Sequence, residues 1–352
     1  MKTQLHFIVG IGRSGTTLLT KILNKHKDIH CQPEANFLLF FLNHFKNKIG
    51  YSDTDIDLIF KQIEIYSLSH PIIGWKFDSK LSKQKIKEIC KNNPIINYEN
   101  LCKNIYRCFE IDGIDKSKSN IIIDKNPGYT ILINKISKAL PESKFIWIIR
   151  DYRANVLSRK QSAYLKSPAV AYNAIRWAYF NYLALRFSQK NKGKIILIKY
   201  EDLVTENDYT MQKIYDFLKL DVITISDKEN ITFLANKDLP GVDKHEKYLT
   251  KKYADLNRPI NSDRINSWKT ELSKEEIIIC DSICGKFAKQ FQYEKYYKIP
   301  YGTITLNLIK NLFTIINSIL YIEKDKILYY LPIQYKIKRL IKRHKILGFY
   351  KK

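Results

Sequence analysis

The stretch Leu5-His-Phe-Ile-Val-Gly10-Ile-Gly-Arg-Ser-Gly-Thr-Thr17 decides the fold class of this 352-residue chain. Its apolar start predicts a buried strand, its centre is a glycine-rich turn, and residues 16–24 carry apolar side chains at helical spacing. The glycine spacing matches the opening of a phosphate-binding loop, where backbone N–H groups and a helix N-terminus hold an anion. A nucleoside triphosphatase needs Lys followed by Ser or Thr at the end of this loop, and Thr16 and Thr17 stand there instead.

Three further apolar runs, at 121–124, 145–149 and 195–198, predict strands. Because these runs do not alternate with polar residues, they are typical of parallel strands buried on both faces. Helical patterns surround them at 129–140, 154–164, 169–187 and 209–218. The sequence therefore predicts an α/β fold, a P-loop-type doubly wound parallel sheet flanked by helices, with its ligand at the carboxyl ends of the strands.

The chain divides into a domain over residues 1–300, with a helical insertion at 35–112, and a basic, apolar helical extension over 301–352. The extension has eleven Lys or Arg residues against Glu323 and Asp325, which leaves a net charge of +9. Two hypotheses stay open for it. One is peripheral attachment to an anionic membrane at its inner face, and the other is a helical layer packed on the domain with a solvated basic face.

Composition excludes several classes of protein. A hydrophobic content of 45% argues against a disordered or fibrous chain. Six cysteines without a Cys-x-x-Cys pair argue against a disulfide scaffold or a four-ligand zinc site, and Cys280 and Cys284 are expected in the core. No apolar run is long enough for a signal peptide or a membrane span, so we expect a soluble, cytoplasmic protein without a metal. The net charge of +25 favours anionic partners of any kind.

A second anion-binding pattern follows the strand at 145–149. Arg150 stands at the carboxyl end of that strand, where a doubly wound fold binds its ligand, and its guanidinium fork suits a phosphate. Ser158 follows eight residues later, about two helical turns, and can offer a hydroxyl to the same anion. Taken alone, Arg150 would equally suit a salt bridge on the surface.

Together, the two segments resemble the sulfotransferases that use 3′-phosphoadenylyl sulfate (PAPS). The resemblance implies that the second segment, with Arg150 and Ser158, binds the 3′-phosphate of the donor. It also implies sulfuryl transfer without Mg²⁺, which accounts for the missing loop lysine. The 5′-phosphosulfate would be held by the residues of the first segment, Gly12, Arg13, Ser14, Gly15, Thr16 and Thr17.

Within that family the chain is similar to the tyrosylprotein sulfotransferases and their bacterial relatives, over roughly residues 5–290. Glu34 lies 21 residues after Arg13, the spacing at which that group has its general base. Lys125, in Lys-Asn-Pro127, stands where the group has a lysine that stabilises the departing oxygen. By the residues alone, Glu34 also suits a helix N-terminus and Lys125 an ordinary surface position.

Two more segments carry the resemblance, and others depart from it. Tyr200 matches a residue that helps to hold the adenosine, and Arg258-Pro-Ile-Asn261 with Trp268 resembles a segment that closes over the nucleotide. The active-site serine of the tyrosylprotein enzymes falls at about Lys252 here. Their N-terminal anchor and luminal disulfide pattern are also lacking in this sequence. A protein-tyrosine acceptor is therefore not implied.

The expected function is transfer of a sulfuryl group from PAPS to a hydroxyl of a glycan, a lipid-linked molecule, a peptide or a small alcohol. Glu34 would take the proton, and Lys125 and Arg13 would neutralise the developing charge. His26 and His30 are alternative bases. The competing hypotheses are a P-loop kinase of a small metabolite, with Asp124 or Asp151 holding the metal, and a non-enzymatic protein that binds polyanions or membranes. No base-stacking module is evident, so no nucleic-acid partner is expected.

Overall fold

The computed structural model describes residues 3–32, 34–69, 75–111, 115–162, 169–221 and 262–346. Five parallel strands form a central sheet in the order β2-β5-β1-β6-β7. In chain order these strands are β1 (Gln4–Gly10), β2 (Ile29–Gln32), β5 (Ile121–Lys125), β6 (Phe145–Ile149) and β7 (Ile195–Lys199). The four predicted strands are present with bounds that differ by at most one residue, whereas β2 was not predicted.

Helices lie on both faces of this sheet. Alternate residues of β1 show it, because Phe7 and Val9 belong to one apolar cluster and Ile8 to another. The helices in chain order are α1 (Thr16–Leu23), α2 (Phe37–Phe45), α3 (Asp53–Ser69), α4 (Ser79–Asn92), α5 (Tyr98–Tyr106), α6 (Ile133–Ala139), α7 (Tyr152–Lys160), α8 (Val170–Lys190), α9 (Tyr200–Thr205), α10 (Asn207–Leu218), α11 (Trp268–Glu271), α12 (Lys274–Ala288), α13 (Tyr301–Lys310), α14 (Leu312–Tyr330) and α15 (Ile333–Ile346). Short 3₁₀ helices span Pro127–Leu132 and Lys289–Phe291. The predicted doubly wound α/β architecture is confirmed.

Two details differ from the sequence-based expectation. The strand β7 is not buried on both faces, since Leu197 is 39% exposed at the edge of the sheet, where only β6 pairs with it. The insertion at 35–112 contains α2 to α5 but also a short antiparallel pair, β3 (Trp75–Lys76) with β4 (Glu110–Ile111). Strands of two residues carry too little pattern to be predicted from sequence.

The topology places a ligand crevice between β1 and β6. The chain leaves β1 towards β2 on one side of the sheet and leaves β6 towards β7 on the other side. Adjacent strands whose connections run in opposite directions form a switch point, and ligands of open α/β sheets bind outside the carboxyl ends of such strands. The glycine-rich loop follows β1, and Arg150 follows β6, so both anion-binding patterns reach this crevice.

The C-terminal helices are partly docked on the domain. Ile322 and Tyr329 of α14 and Ile333 and Ile337 of α15 belong to the main apolar cluster, while α13 has no buried residue. Among the described residues no single helix meets the length and apolarity needed to cross a bilayer. The pair α13 and α14, bent by 58° at its junction, meets those criteria only when taken together.

Candidate active site

The loop after β1 is shaped by backbone conformations that require glycine. Gly15 has φ = +90°, and a Cβ there would lie 2.4 Å from the Tyr200 ring. Gly10 has φ = +132°, and a Cβ there would lie 2.4 Å from the Ile148 carbonyl oxygen of the neighbouring strand. Arg13 itself adopts a left-handed conformation, with φ = +75°. The loop therefore packs directly against β6 and Tyr200.

Polar side chains bind backbone groups of the loop, whereas the N-terminus of α1 is left without a side-chain cap. The Asn155 side-chain amide donates to the Gly12 carbonyl at 3.1 Å and to Ser14 Oγ at 3.0 Å. Thr130 Oγ1 accepts from the Gly10 N–H at 2.7 Å. No side chain caps α1, whose first N–H groups follow Gly15. An uncapped helix N-terminus behind a glycine loop fits a phosphate or sulfate group.

Arg150 is a buried cation without a carboxylate partner among the described residues. Its side chain donates through Nη2 to the Arg264 carbonyl at 2.6 Å and through Nη1 to the Arg13 carbonyl at 3.4 Å. Its guanidinium stacks on the Tyr200 ring, 4.3 Å from the centroid, and its Nε has no hydrogen-bond partner in the described part of the chain. Burial lowers the pKa of the Arg150 guanidinium. An anionic group bound here would further stabilise this buried charge.

The first and second anion-binding segments meet at Arg13. Its Nε donates to Ser158 Oγ at 3.0 Å, across 145 positions of sequence. Together with the Arg150 contact to the Arg13 carbonyl, this brings Arg13, Arg150 and Ser158 into one cluster. The structure therefore brings together the residues that the sequence assigned to the two ends of one nucleotide.

Glu34 and Lys125 form the second part of the site. Lys125 Nζ lies 2.7 Å from Glu34 Oε1, and the two residues are 91 positions apart. Lys125 ends β5 and is in register with Ile8 of β1, while Glu34 comes two residues after the end of the neighbouring strand β2. The Lys125 side chain is 8% exposed and that of Glu34 is 41% exposed. The pair thus lies at the same edge of the sheet as the loop, with its carboxylate facing solvent.

Comparison with known proteins agrees with this geometry. The family model described as "Sulfotransferase family" matches residues 6–224, which is more than half of the chain. The chain belongs to the sulfotransferase family.

Two curated relatives carry names from one branch of that family. The chain is 26% identical over 224 residues to a putative protein-tyrosine sulfotransferase of Caenorhabditis briggsae, which covers 62% of this chain and 66% of the relative. It is 24% identical over 220 residues to a protein-tyrosine sulfotransferase of Drosophila melanogaster, covering 61% of this chain and 38% of the relative. The match thus spans less than two thirds of each relative. The predicted resemblance to the tyrosylprotein sulfotransferases is confirmed at the level of the family.

Solved structures of sulfotransferases are also similar to this chain. The sulfotransferase domain of the Synechococcus PCC 7002 olefin synthase is 18% identical with a TM-score of 0.49, covering 85% of this chain and 98% of the domain. The sulfotransferase domain from the curacin biosynthetic pathway is 19% identical with a TM-score of 0.48, covering 84% and 99%.

The acidic residues that a kinase would need have other partners in this chain. Asp124 is fully buried and accepts a hydrogen bond from the Tyr106 hydroxyl at 2.5 Å, and burial raises its pKa to about 7. Asp151 caps α7 and accepts from Arg153 Nη2 at 2.7 Å. These contacts, together with the missing loop lysine, make the kinase hypothesis the poorer fit.

The alternative bases are at the wrong end of β2. His26 precedes this strand and His30 is its second residue, whereas Glu34 follows its carboxyl end. His26 Nδ1 accepts from the Asp28 N–H at 3.1 Å. His30 is 2% exposed, and burial lowers its pKa to about 3. Glu34 is the candidate base that lies at the ligand edge.

The segment predicted to close over the nucleotide is described only in its last part. Arg258, Asn261 and the position of the family serine, Lys252, lie outside the described residues. Trp268 is buried and stacks on the Arg153 guanidinium, 4.0 Å from the ring centroid. Because the Arg264 carbonyl binds Arg150, residues 264–268 do return to the predicted 3′-phosphate site.

Sequence reasoning missed two side chains of α7 that face the loop. Asn155 binds the loop carbonyl, as described above. Arg159 is 6% exposed, donates through Nε to Asn173 Oδ1 at 2.9 Å, and its Nη1 lies 4.0 Å from the Cβ position of Gly12. Asn155 lies three positions before Ser158 and four positions before Arg159. Residues at these spacings share one face of a helix. The three-residue spacing from Ser158 would have allowed Asn155 to be predicted as a residue of the site.

Proposed function

We propose that this protein transfers a sulfuryl group from PAPS to an acceptor hydroxyl, with Glu34 as general base and without a metal ion. The observation that carries the proposal is the Glu34–Lys125 pair, 2.7 Å apart, at the same sheet edge as the anion-binding loop and the buried Arg150. Sulfuryl transfer to a hydroxyl requires a base and a cation beside a site that binds the anionic groups of the donor. Membership of the sulfotransferase family supports the proposal.

The donor would be held at its two ends by different groups. The uncapped start of α1, with Arg13, Thr16 and Thr17, suits the 5′-phosphosulfate, because N–H groups and a cation converge there. Arg150, with its unpartnered Nε, and the Ser158 hydroxyl suit the 3′-phosphate. The Tyr200 ring stacks on one face of the Arg150 guanidinium. This division predicts that the site distinguishes PAPS from nucleotides without a 3′-phosphate.

Glu34 would accept the proton of the acceptor hydroxyl, and Lys125 would stabilise the charge that develops in the reaction. PAPS supplies an activated sulfuryl group. The acceptor oxygen bonds to sulfur as the bond from sulfur to the bridging phosphate oxygen breaks, and the hydroxyl proton passes to the Glu34 carboxylate. Lys125, held in place by Glu34 before reaction, places its ammonium charge where negative charge develops on oxygen. The products are a sulfate ester and adenosine 3′,5′-bisphosphate.

The acceptor must reach Glu34 from solvent, because that side chain is 41% exposed. Among the candidate acceptors, the names of the two curated relatives favour a peptide tyrosine hydroxyl as the first to test. Glycans, lipid-linked molecules and small alcohols are the other classes in the panel. Transfer of labelled sulfate from PAPS to such a panel tests the class of enzyme and identifies the acceptor together.

The variant Glu34→Gln tests the assigned base. We expect turnover to fall about 10²- to 10⁴-fold, while calorimetry shows unchanged binding of adenosine 3′,5′-bisphosphate. The control is Glu99→Gln, which removes another glutamate paired with a lysine, Lys103, at 2.5 Å and should leave turnover intact. A Glu34→Gln protein that keeps most of its turnover would show that the base is elsewhere. Stabilisation by ATP with Mg²⁺, but not by PAPS, would instead indicate a kinase.

A further inference from the structure

The helices α13 and α14 expose a large apolar surface. Of the nineteen large apolar side chains that are exposed among the described residues, twelve lie between residues 301 and 335. We call the part formed by Ile309, Leu312, Phe313, Ile316, Leu320 and Ile327 the apolar stripe, and its side chains are 48% to 78% exposed. Soluble proteins rarely expose contiguous apolar surface of this kind unless a partner covers it.

The stripe is a second face of a helix that is already packed. Ser318, Ile322 and Tyr329 of α14 are buried, and the helix contacts α8, α2 and the 3₁₀ helix at Pro127–Leu132. At 100° per residue, Phe313, Ile316, Leu320 and Ile327 fall on the side opposite to those buried positions. A surface helix normally presents polar residues there, whereas α14 is apolar on both sides.

Exposed cations lie on the helices that carry the stripe and on the helix that follows them. Lys310 stands at the junction of α13 and α14, Lys324 is exposed next to the stripe on α14, and α15 adds the exposed Lys338, Arg339 and Lys342. Glu323 is paired with Lys326 at 2.7 Å, and the other acid of the extension is Asp325, so the extension keeps a net charge of +9. An apolar face flanked by lysines matches the two components of an anionic bilayer, acyl chains and acidic headgroups.

We propose that the apolar stripe docks this protein on the surface of an anionic lipid bilayer. Insertion is shallow, because α14 cannot enter the bilayer fully without giving up the contacts of Ile322 and Tyr329 with the domain. A second copy of the chain is the poorer fit, because a two-fold interface through the stripe would bring the flanking lysines of both copies into one contact region. The proposal does not depend on sulfuryl transfer.

This position has a consequence for the active site. The helix α2 begins three residues after Glu34, and the 3₁₀ helix begins two residues after Lys125. Since α14 packs on both, docking would hold the Glu34–Lys125 pair at a fixed distance from the membrane. The acceptor would then be presented at, or close to, the bilayer surface.

Vesicle flotation of the full chain tests the proposal. We expect the protein to float with vesicles of phosphatidylcholine and phosphatidylglycerol, and not with phosphatidylcholine alone. The double variant Phe313→Asp with Ile316→Asp should lower the bound fraction at least about tenfold. The matched control, Ile49→Asp with Ile95→Asp, adds the same charge at two side chains that are 68% and 78% exposed in the insertion, and it should bind as the unchanged protein does.

Each other outcome overturns the proposal. Equal binding of both double variants would show that charge alone attracts the vesicles, and a wild-type protein that does not float would exclude the docking surface. Light scattering that shows a dimer dissociated by the Phe313 and Ile316 changes would assign the stripe to a second copy. Resistance to alkaline carbonate would indicate a span. Since turnover is not measured, none of these results bears on the proposed reaction.

Discussion

Arg150 and Arg153 lie three residues apart in one motif, and the structure gives them opposite surroundings. Both guanidinium groups are buried and both stack on an aromatic ring, Tyr200 and Trp268 respectively. Arg153 is bonded twice to Asp151, at 3.1 and 2.7 Å, and lies 3.6 Å from Asp281. The hydrogen bonds of Arg150 to described residues go to carbonyl groups.

The pKa values of the two guanidinium groups shift in opposite directions. Burial lowers the pKa of Arg150. Burial also opposes the charge on Arg153, but hydrogen bonding to Asp151 and the charges around it raise the pKa of that guanidinium. A buried cation with its carboxylates in place belongs to the folded core, whereas one without them is ready for an anionic ligand. This difference supports the proposal that Arg150, and not Arg153, binds the anionic ligand.

Replacing Arg153 should have the largest effect on stability. Arg153→Met leaves Asp151 and the fully buried Asp281 without their cation, and breaking a buried pair in this way costs about 3–5 kcal/mol. Urea unfolding should show the loss. Arg186→Met is the matched control, because Arg186 is exposed and its guanidinium lies 6.0 Å from the Tyr182 ring centroid; it should change stability by less than about 0.5 kcal/mol. Equal losses would remove the distinction between core and surface arginines.

Replacing Arg150 should affect binding and not folding. Arg150→Met removes a cation without an ion pair, so stability should change by no more than about 1 kcal/mol. Hydrogen bonds to charged groups are worth about 1.5–3 kcal/mol, so affinity for adenosine 3′,5′-bisphosphate should fall about 10- to 100-fold. Calorimetry with the 5′-monophosphate provides the control, since the variant should lose only the preference for the 3′-phosphate. A variant as unstable as Arg153→Met would contradict the comparison.

The sequence could predict the position of these residues but not the difference between them. Arg150, Glu34 and the loop each follow a strand and Lys125 ends one, and parallel strands bring their carboxyl ends to one edge. That local rule placed Arg150, Lys125 and the loop, whereas Glu34, which follows the unpredicted strand β2, was placed only by its resemblance to the family's general base. The separate role of Arg153 depends on Asp281, which lies 128 positions further along the chain, and no short pattern encodes that contact.

The same limit explains what was missed in the fold. The strand β2, Ile-His-Cys-Gln, is too short and too polar to stand out as an apolar run, although it carries the chain to Glu34. The exposure of β7 follows from its place at the edge of the sheet, which is set by the whole topology. Local sequence patterns predict helices and strands, whereas the burial of each strand depends on which other elements pack beside it.

The support beneath Arg150 can be tested through Gly15. A Cβ at Gly15 would meet the Tyr200 ring at 2.4 Å, so Gly15→Ala must displace the ring on which Arg150 stacks. We expect a loss of about 1–2 kcal/mol in stability beyond that of Gly193→Ala, together with weaker nucleotide binding. Gly193 is the matched control because it also has positive φ, +77°, but nothing lies within 4 Å of its Cβ position. Equal losses would show that only the backbone conformation matters at Gly15.

The same comparison can be made between the buried carboxylates Asp151 and Asp124. The expected effect on stability is the smallest of those considered. Asp151 has its arginine, whereas Asp124 is buried with the Tyr106 hydroxyl, and burial raises the pKa of Asp124 to about 7. An unfolded aspartate titrates near pH 4, so between that value and pH 7 the folded protein holds a proton that the unfolded chain has lost. Stability from this group is therefore complete at low pH and is lost as pH rises.

The variant Asp124→Asn isolates that loss, because its amide can accept the Tyr106 hydrogen bond without titrating. Between pH 6 and 7 the wild-type free energy of unfolding should fall by about 1 kcal/mol relative to the variant. Urea unfolding of both proteins across this range measures the difference, and the buried His6 and His30, whose pKa values burial lowers to about 4 and about 3, contribute equally to both. Parallel stability curves would show that Asp124 stays ionised beside Lys125, and that this carboxylate, like Asp151, has a cation as its effective partner.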